Sequence, residues 1–299
     1  MNLLVTGGNG YIAKSLATAL GSKYNITSIT RNDFDLTDTR ATCSWFDDKY
    51  FDVVLHTAIV GGSRLDQDTH DVVDQNLLMY YNLVGNRESY VMGLKEMVIE
   101  RGEAVTKKGQ LQYQGSEIRK QDASPELLAT YDKFINFGSG AEQFQPHSPY
   151  GSSKKIIADS VSNTENFYNI RIFGIFDENE LDRRFILSNM LRYINKDPMV
   201  IHENRMMDFF YMKDLISVVE YYIEQSQLSK QVNCCYNEKY TLYAIAQMIN
   251  QLGDYNVPIE VPSKSVSSYY CGESILPPIN TIGLQSGILN MFEQLQKRI

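Results

Sequence analysis

The chain has 299 residues, 43% hydrophobic and 21% charged, the composition of an ordinary folded soluble protein with room for one large domain or a domain with a lobe grafted on. A net charge of −8 weighs against nucleic acid as the main partner. No apolar stretch approaches the roughly 20 residues of a membrane span and the N-terminus enters a strand without a leader, so the expected setting is cytoplasmic, with no membrane partner.

Residues 2–6 (NLLVT) form a short apolar run, and 10–21 carry helical spacing. "YNITSIT" at 24–30 and "FDVVLHTA" at 51–58 read as the second and third strands, and 69–86 as a helix. "KFINFGS" at 133–139 is a further strand, "YGSSKKIIADSVSNTENF" a helix and "NIRIFGIF" at 169–176 a strand. Strands alternating with helices imply right-handed βαβ units, so the fold class is α/β: a doubly wound, Rossmann-like parallel sheet covered on both faces.

After Phe176 the alternation loosens. A helix near 183–195, the short "MVIH", a helix from Lys213 to about Gln225, the strand "QVNCCYN", a helix at 241–252 and a closing helix at about 284–298 make a smaller C-terminal lobe. The expected division is 1–176 for the cofactor and 177–299 for the substrate, with about 203–226 returning to the first domain. Between Tyr90 and Lys133 a polar stretch with Gly102, Gly109 and Gly115 is too long for a plain loop and reads as an insertion over about 90–132.

Cys43, Cys234, Cys235 and Cys271 lack metal-ligand spacing, and the four histidines (56, 70, 147 and 202) are scattered. Reduced thiols and no metal site are expected.

"LLVTGGNGYIAKSLATAL" fits G-x-G-x-x-A as Gly8, Gly10 and Ala13, and equally G-x-x-G-x-x-A from Gly7. It follows a strand and opens a helix, the context in which glycines let a backbone approach a pyrophosphate whose charge sits on the helix N-terminus. At the end of the second strand, "ITRNDFD" puts Arg31 and Asn32 first. Arginine suits a ribose 2′-phosphate, which favours NADP over NAD, while Asp33 and Asp35 stand close by.

Tyr150 and Lys154 form Y-x-x-x-K at a helix start, on one face about a turn apart. An ammonium beside a phenol favours phenolate. Ser139 ends a strand a few residues earlier, at the carboxyl edge where parallel sheets place ligands. Hydroxyl, phenol and ammonium together make a proton-donating site for a carbonyl.

In combination, "TGGNGYIAKSL", "DLTD", "HTAIVGGSR", "FGSGAE", "YGSSK", "RIFGIF" and "DFFYMKDL" resemble the extended short-chain dehydrogenase/reductase family of nucleotide-sugar epimerases, dehydratases and reductases. The likeness spans nearly the whole chain except about 90–132, and "HTAIVGG" with the arginine-bearing loop is most similar to GDP-fucose synthases and related 4-keto-sugar reductases. The resemblance implies that Gly7, Gly10, Tyr11, Ile12 and Ala13 hold the pyrophosphate, Asp35 and Leu36 lie near the adenine, and Ala58 runs along the cofactor. It implies that Ser139 binds the substrate oxygen, Tyr150 acts as acid/base, Lys154 holds the nicotinamide ribose and Asn76 is structural. A homodimer through two helices flanking the sheet is usual for the family.

The departures narrow the activity. Ala141 and Arg184 stand where GDP-fucose synthases carry the cysteine and histidine of epimerisation, and Gly140 where dehydratases begin an Asp–Glu pair. Met207 replaces the family's pyrophosphate arginine, leaving Arg183, Arg184 and Arg205 as candidates for a sugar-nucleotide diphosphate. The loop "GAEQFQPHSP" is short, and its His147 could reach the sugar. The expected function is NADPH-dependent reduction of a nucleotide-linked 4-keto-6-deoxy sugar. The alternatives are a nucleotide-sugar 4-epimerase that retains NAD and, from another class, a non-catalytic NAD(P)-binding scaffold or sensor.

Overall fold

The computed structural model describes residues 1–47, 49–62, 68–85 and 131–298. The expected insertion lies outside the described residues except for Tyr131 and Asp132, which already belong to a strand. The chain divides into two compact units: Met1–Ala13, Gly21–Asn136 and Ala141–Phe167 form the first, and Lys14–Leu20, Phe137–Gly140 and Tyr168–Ile299 the second.

In the first unit, β1 (Asn2–Thr6) pairs in parallel with β2 (Asn25–Ile29), Leu3 opposite Ile26, and with β3 (Phe51–His56), Leu3 opposite Val53. β3 pairs in turn with β4 (Tyr131–Ser139), Val54 opposite Phe134. Leu3, Leu4 and Val5 are fully buried in succession, the mark of a parallel strand covered on both faces. The chain runs from β1 out to β2 and returns beside β1 as β3, so the strand order reverses there, and such a switch point is where α/β sheets open a crevice at their carboxyl ends. These four strands lie in the spatial order β4–β3–β1–β2, every pair parallel.

The helices of this unit follow from their ends. α1 (Tyr11–Leu20) belongs to this unit only as far as Ala13, and α2 (Thr39–Phe46) starts where Asp38 accepts the amides of Arg40 and Ala41. α3 (Asp71–Val84) has Asp71 and Asp74 in its first turn and closes on Gly85 in the left-handed conformation. A short α4 (Ala141–Phe144) precedes α5 (Pro149–Ser162), which begins with Pro149 and is capped by the Ser148 hydroxyl on the Gly151 amide. Leu4, Val54, Leu77, Tyr80, Phe134 and Val161 belong to one buried cluster.

The second unit holds β5 from Tyr168 on, the strand as a whole being Phe167–Ile172, and β10 (Gln231–Cys234), paired in parallel with Ile170 opposite Val232. The strand expected over 169–176 is therefore broken after Ile172 and resumes as β6 (Ile175–Phe176), which pairs with β9 (Phe210–Tyr211). Two further two-residue pairs join β7 (Met199–Val200) to β11 (Ile259–Glu260) and β8 (Met206–Met207) to β12 (Tyr269–Tyr270). Helices α6 (Phe185–Ile194), α7 (Met212–Glu224), α8 (Leu242–Asn250) and α9 (Leu284–Gln296) complete it. Its core includes Phe176, Met190, Tyr193, Tyr211, Ile245 and Met291, with Tyr193 stacked on Tyr255 at 4.6 Å.

Gly151 shows how tightly the start of α5 is docked. A Cβ there would stand 1.8 Å from the Gln145 carbonyl oxygen and 2.9 Å from that of Ala141, both backbone atoms that cannot turn aside. Gly151→Ala should cost about 3 kcal/mol, at the upper end of overpacking penalties, read as a lower denaturation midpoint with an unchanged m-value.

Candidate active site

After Thr6 the chain turns at Gly7, whose φ of 69° lies in the left-handed region. A side chain is excluded there twice over, because a Cβ on Gly7 would stand 2.8 Å from the Cα of Ala58, just beyond the end of β3. Gly10 closes the turn by donating its amide to the Gly7 carbonyl at 2.8 Å, and α1 then begins with no acidic residue in its first turn. Asn9 and Gly10 are exposed, Gly7, Tyr11 and Ile12 partly so, and Ala13 is buried. An open turn with glycine at three of its four positions, at the switch point and at the positive end of a helix, fits the diphosphate of a dinucleotide.

The end of β2 resolves what its four polar residues do. Asp33 accepts the Thr30 amide at 2.8 Å and the Thr30 hydroxyl at 2.9 Å, and the amide bond above all holds its carboxyl below the usual range. Asp35 accepts the Thr37 amide and hydroxyl, each at 2.9 Å, and is held low by the Thr37 amide first and by the charge of Arg31 last. Both acids close turns of their own loop. Arg31 and Asn32 stand exposed beside them, and Leu36 is buried in the core beneath.

Tyr150 and Lys154 sit in the first turns of α5, with the ammonium 5.9 Å from the centre of the phenol ring. Lys154 is only 4% exposed, and burial pulls its ammonium down to about 8 against the opposing pull of the Glu142 carboxylate. Beside it His56 is pushed down to about 3, by burial first and by the Lys154 charge second. The phenol is held from its flank by Gly62, at φ 75°, where a Cβ would fall 2.7 Å from the ring carbon bearing the hydroxyl. Gly62 is fixed by its amide on Asp68 at 2.9 Å.

Asn76 ties these pieces together. Its side chain accepts the Val60 amide at 2.8 Å, donates to the Val60 carbonyl and to the Ser153 hydroxyl at 3.0 Å each, and Ser153 donates on to the Tyr150 carbonyl at 2.8 Å. The loop that carries Gly62 and the helix that carries Tyr150 are thereby pinned to one amide. His56, Gly62 and Glu142 escaped the sequence reading. The glycine pair Gly61–Gly62 after a strand is the one local signal that could have pointed to any of them.

The remaining candidates lie elsewhere. His147 is exposed on the turn before α5. Ser139 is the last residue of β4, buried, and belongs to the second unit. Next to it a Cβ on Gly140 would meet the Phe173 ring at 2.5 Å, leaving no room for the Asp–Glu pair of a dehydratase. Arg183 and Arg184 are exposed ahead of α6, and Arg205 donates to Glu203 at 2.6 Å while its buried Nε finds no hydrogen-bond partner among the described residues.

Residues 3–98 match the family model "NAD dependent epimerase/dehydratase family". No curated protein sequence matches the chain. Among solved structures, a UDP-glucuronic acid 4-epimerase from Bacillus cereus, in complex with NAD, is 15% identical over 100% of both chains with a TM-score of 0.69. A dTDP-4-dehydrorhamnose reductase from Clostridium acetobutylicum is 16% identical over 99% of this chain and 100% of that one, also with a TM-score of 0.69. A GDP-mannoheptose C4 reductase from Campylobacter jejuni, with NADP bound, is 13% identical over 99% and 98%, with a TM-score of 0.69. At such identities the likeness establishes the Rossmann-like fold, and with the family match it bears out the resemblance read from the motifs. No helix among the described residues is long and apolar enough to cross a membrane.

The buried ammonium yields a pH test. Unfolded, the lysine keeps its proton to about 10.5, and folded only to about 8, so between these values the unfolded chain holds more protons and stability rises with pH. The penalty is fully present below about pH 8 and is gone by about 10.5. Lys154→Met removes it, so the variant's stability relative to wild type should be greatest at pH 7 and shrink through pH 9 to 10.5 in urea titrations. A difference that stays flat would show that the ammonium is not desolvated.

Proposed function

We infer that the chain is an NADPH-dependent reductase of a nucleotide-linked 4-keto-6-deoxy sugar. The observation that carries this reading is the Tyr150–Lys154 pair, its phenol flanked by Gly62, in the unit that holds the glycine cradle and, exposed after β2, Arg31. The family match and the sugar-nucleotide enzymes among the neighbours support the substrate class, and neighbours with NADP or NAD support a nicotinamide cofactor.

A bound NADPH supplies the hydride that reduces the sugar's C4 carbonyl. Tyr150 gives its phenolic proton to the oxygen as charge develops there, and Ser139 donates a hydrogen bond to the same oxygen. Lys154 stabilises the phenolate left behind and fixes the nicotinamide ribose. Gly7, Gly10, Tyr11, Ile12 and Ala13 hold the pyrophosphate, Ala58 runs beside the cofactor, Asp35 and Leu36 border the adenine, and Arg31 with Asn32 takes the 2′-phosphate. Residues 177–299 serve the sugar nucleotide, with Arg183, Arg184 and Arg205 for its diphosphate and His147 reaching in from the turn before α5. The buried Nε of Arg205 supports that role, since it keeps a donor for an incoming oxygen.

NADPH oxidation, followed by absorbance against GDP-, dTDP-, CDP- and UDP-4-keto-6-deoxy sugars, should respond to one nucleotide. Silence towards all of them, with NAD retained through purification, would replace the reading by the 4-epimerase. Tyr150→Phe should lower kcat on the order of 10³-fold while the Kd for NADPH moves less than about threefold. Arg31→Ala should weaken NADPH by about tenfold and leave NADH unchanged, and equal effects on both would remove the case for NADP.

A further inference from the structure

We propose that His56 is a positioning residue: by accepting the Thr6 hydroxyl proton it locks the end of β1, and with it the Gly7 turn, to the end of β3. Its consequence for cofactor binding rests on the function proposed above, whereas the lock itself does not.

The Thr6 hydroxyl accepts the Ala58 amide at 3.1 Å and lies 2.9 Å from His56 Nδ1. Its oxygen could accept a second time, but its one proton finds among the described residues no acceptor in reach other than His56 Nδ1, and on that ground the ring is assigned its proton on Nε2. A second bond runs in parallel, from the Thr57 hydroxyl to the Thr6 carbonyl at 2.6 Å. Three hydrogen bonds thus join residue 6 to residues 56–58 immediately before Gly7, whose missing side chain lets it press on Ala58.

The imidazole's surroundings keep it in that role. His56 is 2% exposed, with the rings of Tyr80 and Phe134 at 6.4 and 5.7 Å. Lys154 is the charged group that acts on it, and a second cation beside that ammonium would be repelled. An imidazolium would also turn Nδ1 into a donor facing a hydroxyl whose own proton then has nowhere to go. Removing the acceptor leaves the Thr6 hydroxyl proton unpaired in a buried site; a χ1 rotation that relieves it carries Oγ1 away from the Ala58 amide, and the contact that shapes the pyrophosphate turn loosens. The residue acts through Thr6 and Ala58 rather than on the reacting atoms, so the effect belongs in cofactor affinity and not in turnover.

Two measurements on the full chain test this. Nitrogen-15 NMR of the His56 ring should show the Nε2–H tautomer, unchanged between pH 5.5 and 8. A proton on Nδ1, or titration near pH 6.5, would overturn the proposal. In fluorescence titrations, Thr6→Val and His56→Leu should each raise the Kd for NADPH about tenfold, and together no more than either alone, with kcat at saturating cofactor within about twofold. Thr6→Ser and His56→Asn, which restore the hydroxyl and an acceptor at the Nδ1 position, should bind within about threefold of wild type. Unchanged affinity in Thr6→Val would sink the proposal even if His56→Leu does not fold. If the wild-type chain binds neither NADPH nor NADH, the proposed function falls, and the ring's tautomer still decides the lock.

Discussion

An ammonium withdrawn from water is the constraint around which the first unit is arranged. Lys154 is 4% exposed, and a cation at that depth costs several kcal/mol unless its neighbours compensate. Glu142, itself 6% exposed, supplies the opposing charge. Such an arrangement tolerates little slack. The start of α5 is accordingly held by the Ser148 cap, by Pro149 at the first helical position and by Gly151 pressed on the Gln145 carbonyl. With the helix start immobile, Tyr150 and Lys154 face the same side a turn apart, and the phenol meets a cation that cannot swing away.

That pairing was legible because it is local. A spacing of four on a helix, a glycine run between strand and helix, and apolar runs for strands buried on both faces are all written along the chain. The longer strands and helices followed from them, whereas the two-residue strands after Phe176 did not. What escaped depends on encounters between distant segments. His56, Gly62 and Glu142 reach Tyr150 or Lys154 only through the sheet and the docking of α5, and no spacing records that. The helix Thr39–Phe46 was missed for a related reason. It is only eight residues long, too short for its spacing to repeat, and is held by its Asp38 cap and by Trp45 and Phe46, which meet Phe51 at 6.0 and 6.2 Å. The break after Ile172 also passed unseen, because the isoleucines and phenylalanines of "RIFGIF" favour a strand throughout. Gly174 interrupts it where the Asp208 carbonyl comes within 2.9 Å of its Cβ position.

The loop after β2 shows how far composition can mislead about a ligand. "RNDFD" offers one guanidinium and two carboxylates, and from the sequence either sign could face a ribose. The threonines orient the acids. Thr30 and Thr37 each present an amide and a hydroxyl to one oxygen of the nearest acid, which holds both carboxylates ionised below their usual range. The second oxygen of each exposed carboxylate and the exposed Arg31 face the same solvent, so the proposed preference for a 2′-phosphate rests on the arginine's charge and not on a lack of acids.

A reductase and a retaining epimerase make opposite demands on that grip. A reductase releases oxidised cofactor every turnover, whereas an epimerase recycles its own and gains by never letting go. An exposed arginine meeting a phosphate in water contributes on the order of 1 kcal/mol, enough to choose between two cofactors and too little to imprison one. In the proposed site the rest of the affinity would fall to the Gly7 cradle and the amides at the start of α1, where the turn presses on the backbone of Ala58. A firm cradle with a weak, solvent-facing selector would suit a cofactor that exchanges, and in that respect the geometry agrees with the proposed reductase.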